Sequence, residues 1–230
     1  MDSTTVLDTI VYPERDGKPM GETDVHVNEL ADLLKMLQHR YRDDANAFVG
    51  ANMLCYYEQG VPSSCFCPDV FVVFGVPKGS RRTFKFWDEK QPPTVIFEVT
   101  SRQSRLEDMG NKKYLYASLG VSEYFIYDPL HEYMHPPFQG FVLRGEQYQA
   151  LEQDAQGGLQ SQRLGLRMML EEDSLALWDS SSGVRLLRPL EEMDRRREAE
   201  AELQSERTSR LAAEAELARL KQQIKKSIGE

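Results

Sequence analysis

Cysteine is scarce in this chain of 230 residues: Cys55, Cys65 and Cys67 are the three it has. An odd set so close in sequence excludes a disulfide framework and fits a reducing compartment. One residue between Cys65 and Cys67 is not zinc-site spacing, and no second pair with usable ligand spacing completes such a site. The three therefore read as thiols near a strand end. Long hydrophobic runs are also lacking. The most apolar stretch, Val70 to Val76, falls far short of the roughly 20 residues that cross a bilayer, so a membrane-spanning segment and a membrane partner are excluded. The opening residues carry acids, prolines and glycines where a secretory leader needs a basic patch and an apolar stretch, so a cytoplasmic location is expected. Positive charge is not in excess either: the formal net charge of -9 argues against the broad basic surface of a generic nucleic-acid binder.

What is present belongs to a soluble globular protein, with 40% hydrophobic and 28% charged residues. The length suits one domain with an appendage. Charge is unevenly placed. From Val76 to Lys113 nine Lys or Arg face five Asp or Glu, and this locally basic stretch coincides with the residues that carry the candidate chemistry.

Between Thr23 and Arg42, Val25, Leu30, Leu33, Leu34, Leu37 and Tyr41 recur at helical spacing behind a Thr23 N-cap. Ala47–Tyr57, Val70–Phe74 and Thr94–Val99 follow, rich in β-branched and aromatic residues and bounded by turn formers, and they read as strands. Helical spacing returns from about Ser104 to Leu119, with Leu106, Met109, Tyr116 and Leu119 as its apolar positions and Gly120 placed to end it. Glu123–Asp128 then reads as a fourth strand. The order α-β-β-β-α-β predicts an α/β (α+β) fold with a mixed central sheet under helices. Beyond Pro129 the segments 140–144, 147–151, 163–170, 174–178 and 184–187 predict a β-rich elaboration, separated by turns such as Gly157-Gly158. The expected domain is residues 1–188.

Residues 189–230 form the appendage. Glu, Arg, Ala and Leu dominate, and no Gly occurs until Gly229, the composition of a long charged helix. Leu203, Ala213, Leu217, Leu220 and Ile224 follow a and d spacing, but Arg196, Glu206 and Arg210 interrupt that register. A partial coiled coil that pairs two copies stands beside a solvated helix, and the interruptions favour the latter.

Three residues carry the candidate chemistry. Asp69 stands at the mouth of the apolar strand VFVVF. Glu98 lies within TVIFEVTS, where alternation places it on one strand face with Ile96 and Thr100. A glutamate there loses hydration, so a cation, a metal or hydrogen-bond donors are expected beside it. Lys112, in GNKKYLY, falls on the following helix and can reach back over the sheet edge. Two carboxylates and a lysine at one cleft suit phosphodiester hydrolysis, with the acids holding a hard divalent ion, Mg²⁺ or Mn²⁺, and the lysine positioning or helping to deprotonate the attacking water. Each residue also has a structural reading: a strand-end acid is commonly a turn residue, a helix lysine is commonly solvated, and a buried glutamate often belongs to an ion pair.

The blocks CPDVFVVFGVPK, EVTS and DMGNKKYLYASLGVSEYFIYDP resemble the Uma-two family of restriction endonucleases in the PD-(D/E)XK superfamily, across roughly Glu22 to Trp178. The resemblance implies a restriction-endonuclease-like core, with Asp69 and Glu98 as metal ligands and Lys112 as the third catalytic residue. One departure stands out. The standard motif places the lysine two residues after the strand acid, where this chain has Thr100, so the lysine would come from the next helix, with Lys113 as the alternative to Lys112.

Glu22 near the first helix could bring another acid to the metal or simply favour the helix N-terminus. His26 and His39 read as partly exposed helix residues. His131 and His135 could share a metal only on a helix, which Pro136 and Pro137 oppose. The leading expectation is thus a metal-dependent endonuclease acting on DNA, with a homodimer formed through the core or the C-terminal helix as a further possibility. The competing expectation is a catalytically silent nuclease-fold protein that binds a partner or nucleic acid. No helix-turn-helix or zinc finger is visible to support a transcription factor.

Overall fold

A computed structural model describes residues 10–15, 23–172 and 174–228, with side chains as far as Ile224. Glu22 lies outside the described residues. These residues divide into two units, Met1–Leu186 and Leu187–Glu230.

The first unit opens with helix α1, Asp24–Arg40, which starts where Thr23 Oγ1 accepts the His26 N–H at 3.3 Å. Its buried side chains are His26, Glu29, Leu33, Met36 and Leu37, while Val25 faces solvent. Strands β1 (Ala47–Ala51), β2 (Cys55–Tyr56), β3 (Cys65–Phe66), β4 (Val70–Phe74) and β5 (Phe84–Lys85) follow, then the short helix α2 (Phe86–Glu89) and strand β6 (Val95–Val99). Next come α3 (Arg105–Glu107), a π-helical turn (Asp108–Lys112) and α4 (Lys113–Ser118). The chain continues through β7 (Glu123–Tyr127), β8 (Phe138–Arg144), β9 (Gln147–Ala150), β10 (Leu159–Ser161), β11 (Leu166–Glu171) and β12 (Ser174–Asp179).

Six of these strands form one sheet in the order β1-β4-β6-β7-β8-β9. Every pairing in it is antiparallel except β6 with β7, where Glu98 stands opposite Ile126. A parallel pair needs a crossover, and α3, the π turn and α4 supply it. Both faces are covered, which is why β4 and β6 are near-continuous apolar runs. One face packs Val70, Val72, Val95, Phe97 and Phe125 with α1 and the β10–β12 sheet. The other packs Phe71, Val73, Ile96, Tyr124 and Ile126 against Tyr116 and the small β2, β3 and β5 sheet. The mixed α/β fold is therefore the one expected from the order of elements.

Three local expectations change. The predicted strand 47–57 breaks at Asn52, whose φ of 46° turns the chain from β1 into another sheet. Residues 184–187 form no strand, only a bridge between Arg185 and Trp178. The predicted helix from Ser104 to Leu119 is interrupted by the π turn, so the face it buries differs from the one its apolar residues suggest. Leu106 is 78% and Met109 45% exposed, whereas Asp108 and Tyr116 are fully buried.

In the second unit, helix α5 runs from Pro189 to Ile228, and every side chain from Met193 to Ile224 is exposed. Ion pairs such as Arg210 with Glu214 join successive turns. No helix among the described residues is long and apolar enough to cross a membrane.

Candidate active site

The site lies where β4 begins and β6 ends, because antiparallel pairing brings those two ends together. Asp69 stands one residue before β4, and its Oδ2 accepts the Val99 N–H at 2.8 Å. Its carboxyl group is near enough to Glu98 for each to act on the other's protonation. Glu98, on β6, is 1% exposed. Its Oε1 accepts the Tyr116 hydroxyl at 2.6 Å, and its Oε2 lies 3.0 Å from Lys112 Nζ. The structure thus brings Asp69, Glu98 and Lys112 together. Lys113 goes elsewhere: its Nζ sits 3.5 Å from the centroid of the Phe141 ring.

A third carboxylate joins them. Asp108 Oδ1 lies 2.8 Å from Lys112 Nζ, and Asp108 Oδ2 accepts the Thr100 hydroxyl at 2.9 Å. The Tyr124 hydroxyl donates to the Asp108 carbonyl at 3.0 Å. Asp108, Lys112 and Tyr116 follow at intervals of four, and the π turn holds all three toward the sheet. Thr100, two residues after Glu98, thus anchors the acid that pairs with Lys112.

Burial and charge set the protonation of the cluster. Burial raises the Asp69 carboxyl from 3.8 to about 6, although Lys112 and the Val99 N–H oppose the shift. Glu98 is raised well above the usual carboxylate range by burial, again against the pull of Lys112. Burial works against the charge of Lys112 itself, but Glu98, Asp108 and Asp69 outweigh it and hold the ammonium above its ordinary value. Lys112 is therefore a fixed cation, suited to orienting an anion or a water molecule and unsuited to accepting a proton.

His26 differs from its sequence-based expectation. It is buried, and its Nε2 lies 4.0 Å from Asp69 Oδ2, so α1 contributes to the site. His39 is exposed as expected. His131 and His135 lie on a non-helical segment. Sequence reasoning missed Asp108 and treated Tyr116 as an apolar packing residue. The usable signal was the spacing of Asp108 from Lys112, which suits an i,i+4 ion pair.

No three His, Cys, Asp or Glu side chains among the described residues form a ready-made metal cage. The donor set nevertheless fits a hard divalent cation. Asp69 and Glu98 offer oxygen donors at one end of the sheet, and three carboxylates against one ammonium leave two negative charges when all are ionised. Magnesium is commonly bound through one or two carboxylates, with water and substrate phosphate completing its shell. Access is from the side of Asp69 and Lys112, whose side chains are 19% and 17% exposed.

The chain is thus a mixed α/β protein with Asp69, Glu98 and Lys112 gathered at one end of its main sheet. The chain matches the model of the Uma2 family, described as "Putative restriction endonuclease", over residues 15–177. It belongs to that family. A similar solved structure is a "putative nuclease belonging to DUF820" from Anabaena variabilis ATCC 29413, at 13% identity and a TM-score of 0.46, covering 64% of this chain and 76% of that one. No curated protein matches the chain.

Proposed function

We propose that this chain is a metal-dependent endonuclease that hydrolyses phosphodiester bonds in DNA. The observation that carries the reading is the Lys112 ammonium 3.0 Å from the buried Glu98 carboxyl, at the end of β6 where Asp69 accepts the Val99 N–H. Asp69 and Glu98 would hold Mg²⁺ or Mn²⁺, which supplies charge neutralisation and a more acidic bound water. Lys112 presents a fixed positive charge to the scissile phosphate or the attacking water. Tyr116 holds Glu98 through Oε1, and Asp108 holds Lys112, so the reacting side chains are pre-positioned by buried partners.

The geometry also favours a second reading in one respect. Lys112 Nζ already lies against Glu98 and Asp108, so a cation balances part of the carboxylate charge without any metal. On that reading the family fold serves as a silent binding module. A cleavage assay on plasmid and single-stranded DNA with Mg²⁺ or Mn²⁺ separates the two. The nuclease reading expects nicking that is lost in Glu98→Ala and in EDTA. Full-length DNA throughout, from a chain that titrates no metal, would leave the binding module.

A further inference from the structure

Beside the acids, at the C-terminal ends of the parallel strands β6 and β7, lies a cleft of about 110 Å³. His26 and Thr100 line it, and these are the same residues that touch Asp69 and Asp108, so the cleft adjoins the candidate site. Ligands of open α/β sheets gather at such strand ends. Its other walls include Arg102, Pro129, Leu130 and Tyr133. An aromatic ring and an apolar surface thus share the cleft with a guanidinium. The wall is held in place. Asp128, itself fully buried, accepts the N–H groups of Leu130 at 3.2 Å, Tyr133 at 2.5 Å and Met134 at 3.0 Å.

The lining of the cleft bears on its ligand. At about 110 Å³ the cleft is too small to enclose a whole nucleotide, so a base could lie against its aromatic and apolar wall only with the rest of the strand outside. Several cations of the basic stretch are already engaged within the chain. Arg81 pairs with Glu89, Arg82 with Glu14, Lys78 with the carbonyls of Tyr41 and Arg42, and Lys85 and Lys113 lie over aromatic rings. Arg102, by contrast, is exposed at the cleft. Binding to single strands relies on an aromatic stacking platform beside positive charge and needs less phosphate neutralisation than a duplex footprint.

We infer that this cleft receives an unpaired nucleotide of a DNA strand, its base against Tyr133 and Leu130 and its phosphate on Arg102, next to the bond to be cut. The inference rests on the nuclease reading and narrows its substrate to single-stranded or locally opened DNA. Duplex DNA would have to expose a base at the cleft before the neighbouring phosphate reached Asp69 and Glu98.

The test is fluorescence anisotropy of the full chain with a labelled oligothymidine in EDTA, which separates binding from cutting. Wild type is expected to bind it more tightly than the same sequence in duplex. Tyr133→Ala and Arg102→Glu are each expected to weaken binding roughly tenfold or more, while Tyr133→Phe retains it because stacking needs the ring. Arg102 is exposed, so Arg102→Glu carries the test even where Tyr133→Ala does not fold. Unchanged affinity in Arg102→Glu, equal affinity for duplex, or tighter binding of oligouridine would overturn the assignment. Oligothymidine binding without any metal-dependent cleavage would sink the nuclease reading and keep the cleft. Cleavage at the wild-type rate by Arg102→Glu would do the reverse.

Discussion

Asp108 and Lys112 form an ion pair of 2.8 Å across a π-helical turn, with the carboxylate fully buried and the ammonium reaching Glu98 at 3.0 Å. The lysine is therefore held from its own helix as well as from the sheet. Replacing Asp108 by Asn keeps an acceptor for the Thr100 hydroxyl but removes half of the lysine's carboxylate support. Asp108→Asn is expected to cost about 2–3 kcal/mol in urea unfolding. A change within a few tenths of that in Thr100→Val, and none in Asp108→Asn, would show that the pair does not stabilise the core.

The two neighbouring lysines are expected to separate in activity. Lys112→Met removes the only ammonium in contact with Glu98 among the described residues, and cleavage should fall about a hundredfold or more. Lys113→Met loses a cation–π contact with Phe141 and should stay within a few-fold of wild type. Single-turnover rates on plasmid DNA check both. Equal losses would mean that the ion pairs seen around Lys112 are structural.

Asp69 gives the cluster a pH dependence. Its folded pKa of about 6 lies above its ordinary 3.8, so the folded state binds the extra proton between those values. The sign follows: this group's contribution to stability is most favourable below 3.8, declines as pH rises through 6, and by pH 8 amounts to a penalty of about 3 kcal/mol before a metal is bound. Asp69→Asn should therefore raise the unfolding midpoint of the metal-free chain at pH 8 and leave it little changed at pH 4. Mn²⁺ affinity, read by calorimetry, should increase through about pH 6 in wild type and vanish in the variant. A lower midpoint at pH 8 would contradict the burial penalty.

Tyr116→Phe tests how Glu98 is held. It leaves a carboxylate oxygen without its 2.6 Å donor in a fully buried position, and the cost should be about 1–3 kcal/mol. Denaturant melts at pH 7 measure it, and an unchanged midpoint would mean that Glu98 is solvated after all.

Residues 189–230 are proposed as a separable tail. Because the side chains of α5 from Met193 to Ile224 are exposed, truncation after Arg188 should leave cooperative unfolding of the remainder intact. Loss of a single sharp transition would overturn this, and sedimentation of the two forms would show whether the tail pairs copies of the chain.

Much of the core was legible because burial on both sheet faces leaves a plain mark. Val70–Phe74 is apolar at every position and forms β4 with the expected bounds, and an acid interrupting such a run, as Glu98 does, announces that something must compensate it. The crossover was harder to read. Leu106 and Met109 suggest a packed stripe at helical spacing, yet the π turn shifts the phase, turns them to solvent and buries Asp108 instead. Hydrophobic periodicity has no means of finding a buried polar stripe, since its members look like surface residues until their partners on another element are known. His26 was hidden for the same reason: its neighbour Asp69 is distant in sequence and comes near only when α1 lies on the sheet.

The single parallel pair in the main sheet ties the site to the crossover. In chain order β6, with Glu98, precedes the crossover that carries Asp108, Lys112 and Tyr116, and β7 follows it. The same crossover that lets β7 lie parallel to β6 also delivers Asp108, Lys112 and Tyr116 to the sheet end, so a chain cut between Val99 and Asp108 keeps both acids and lacks all three of these neighbours.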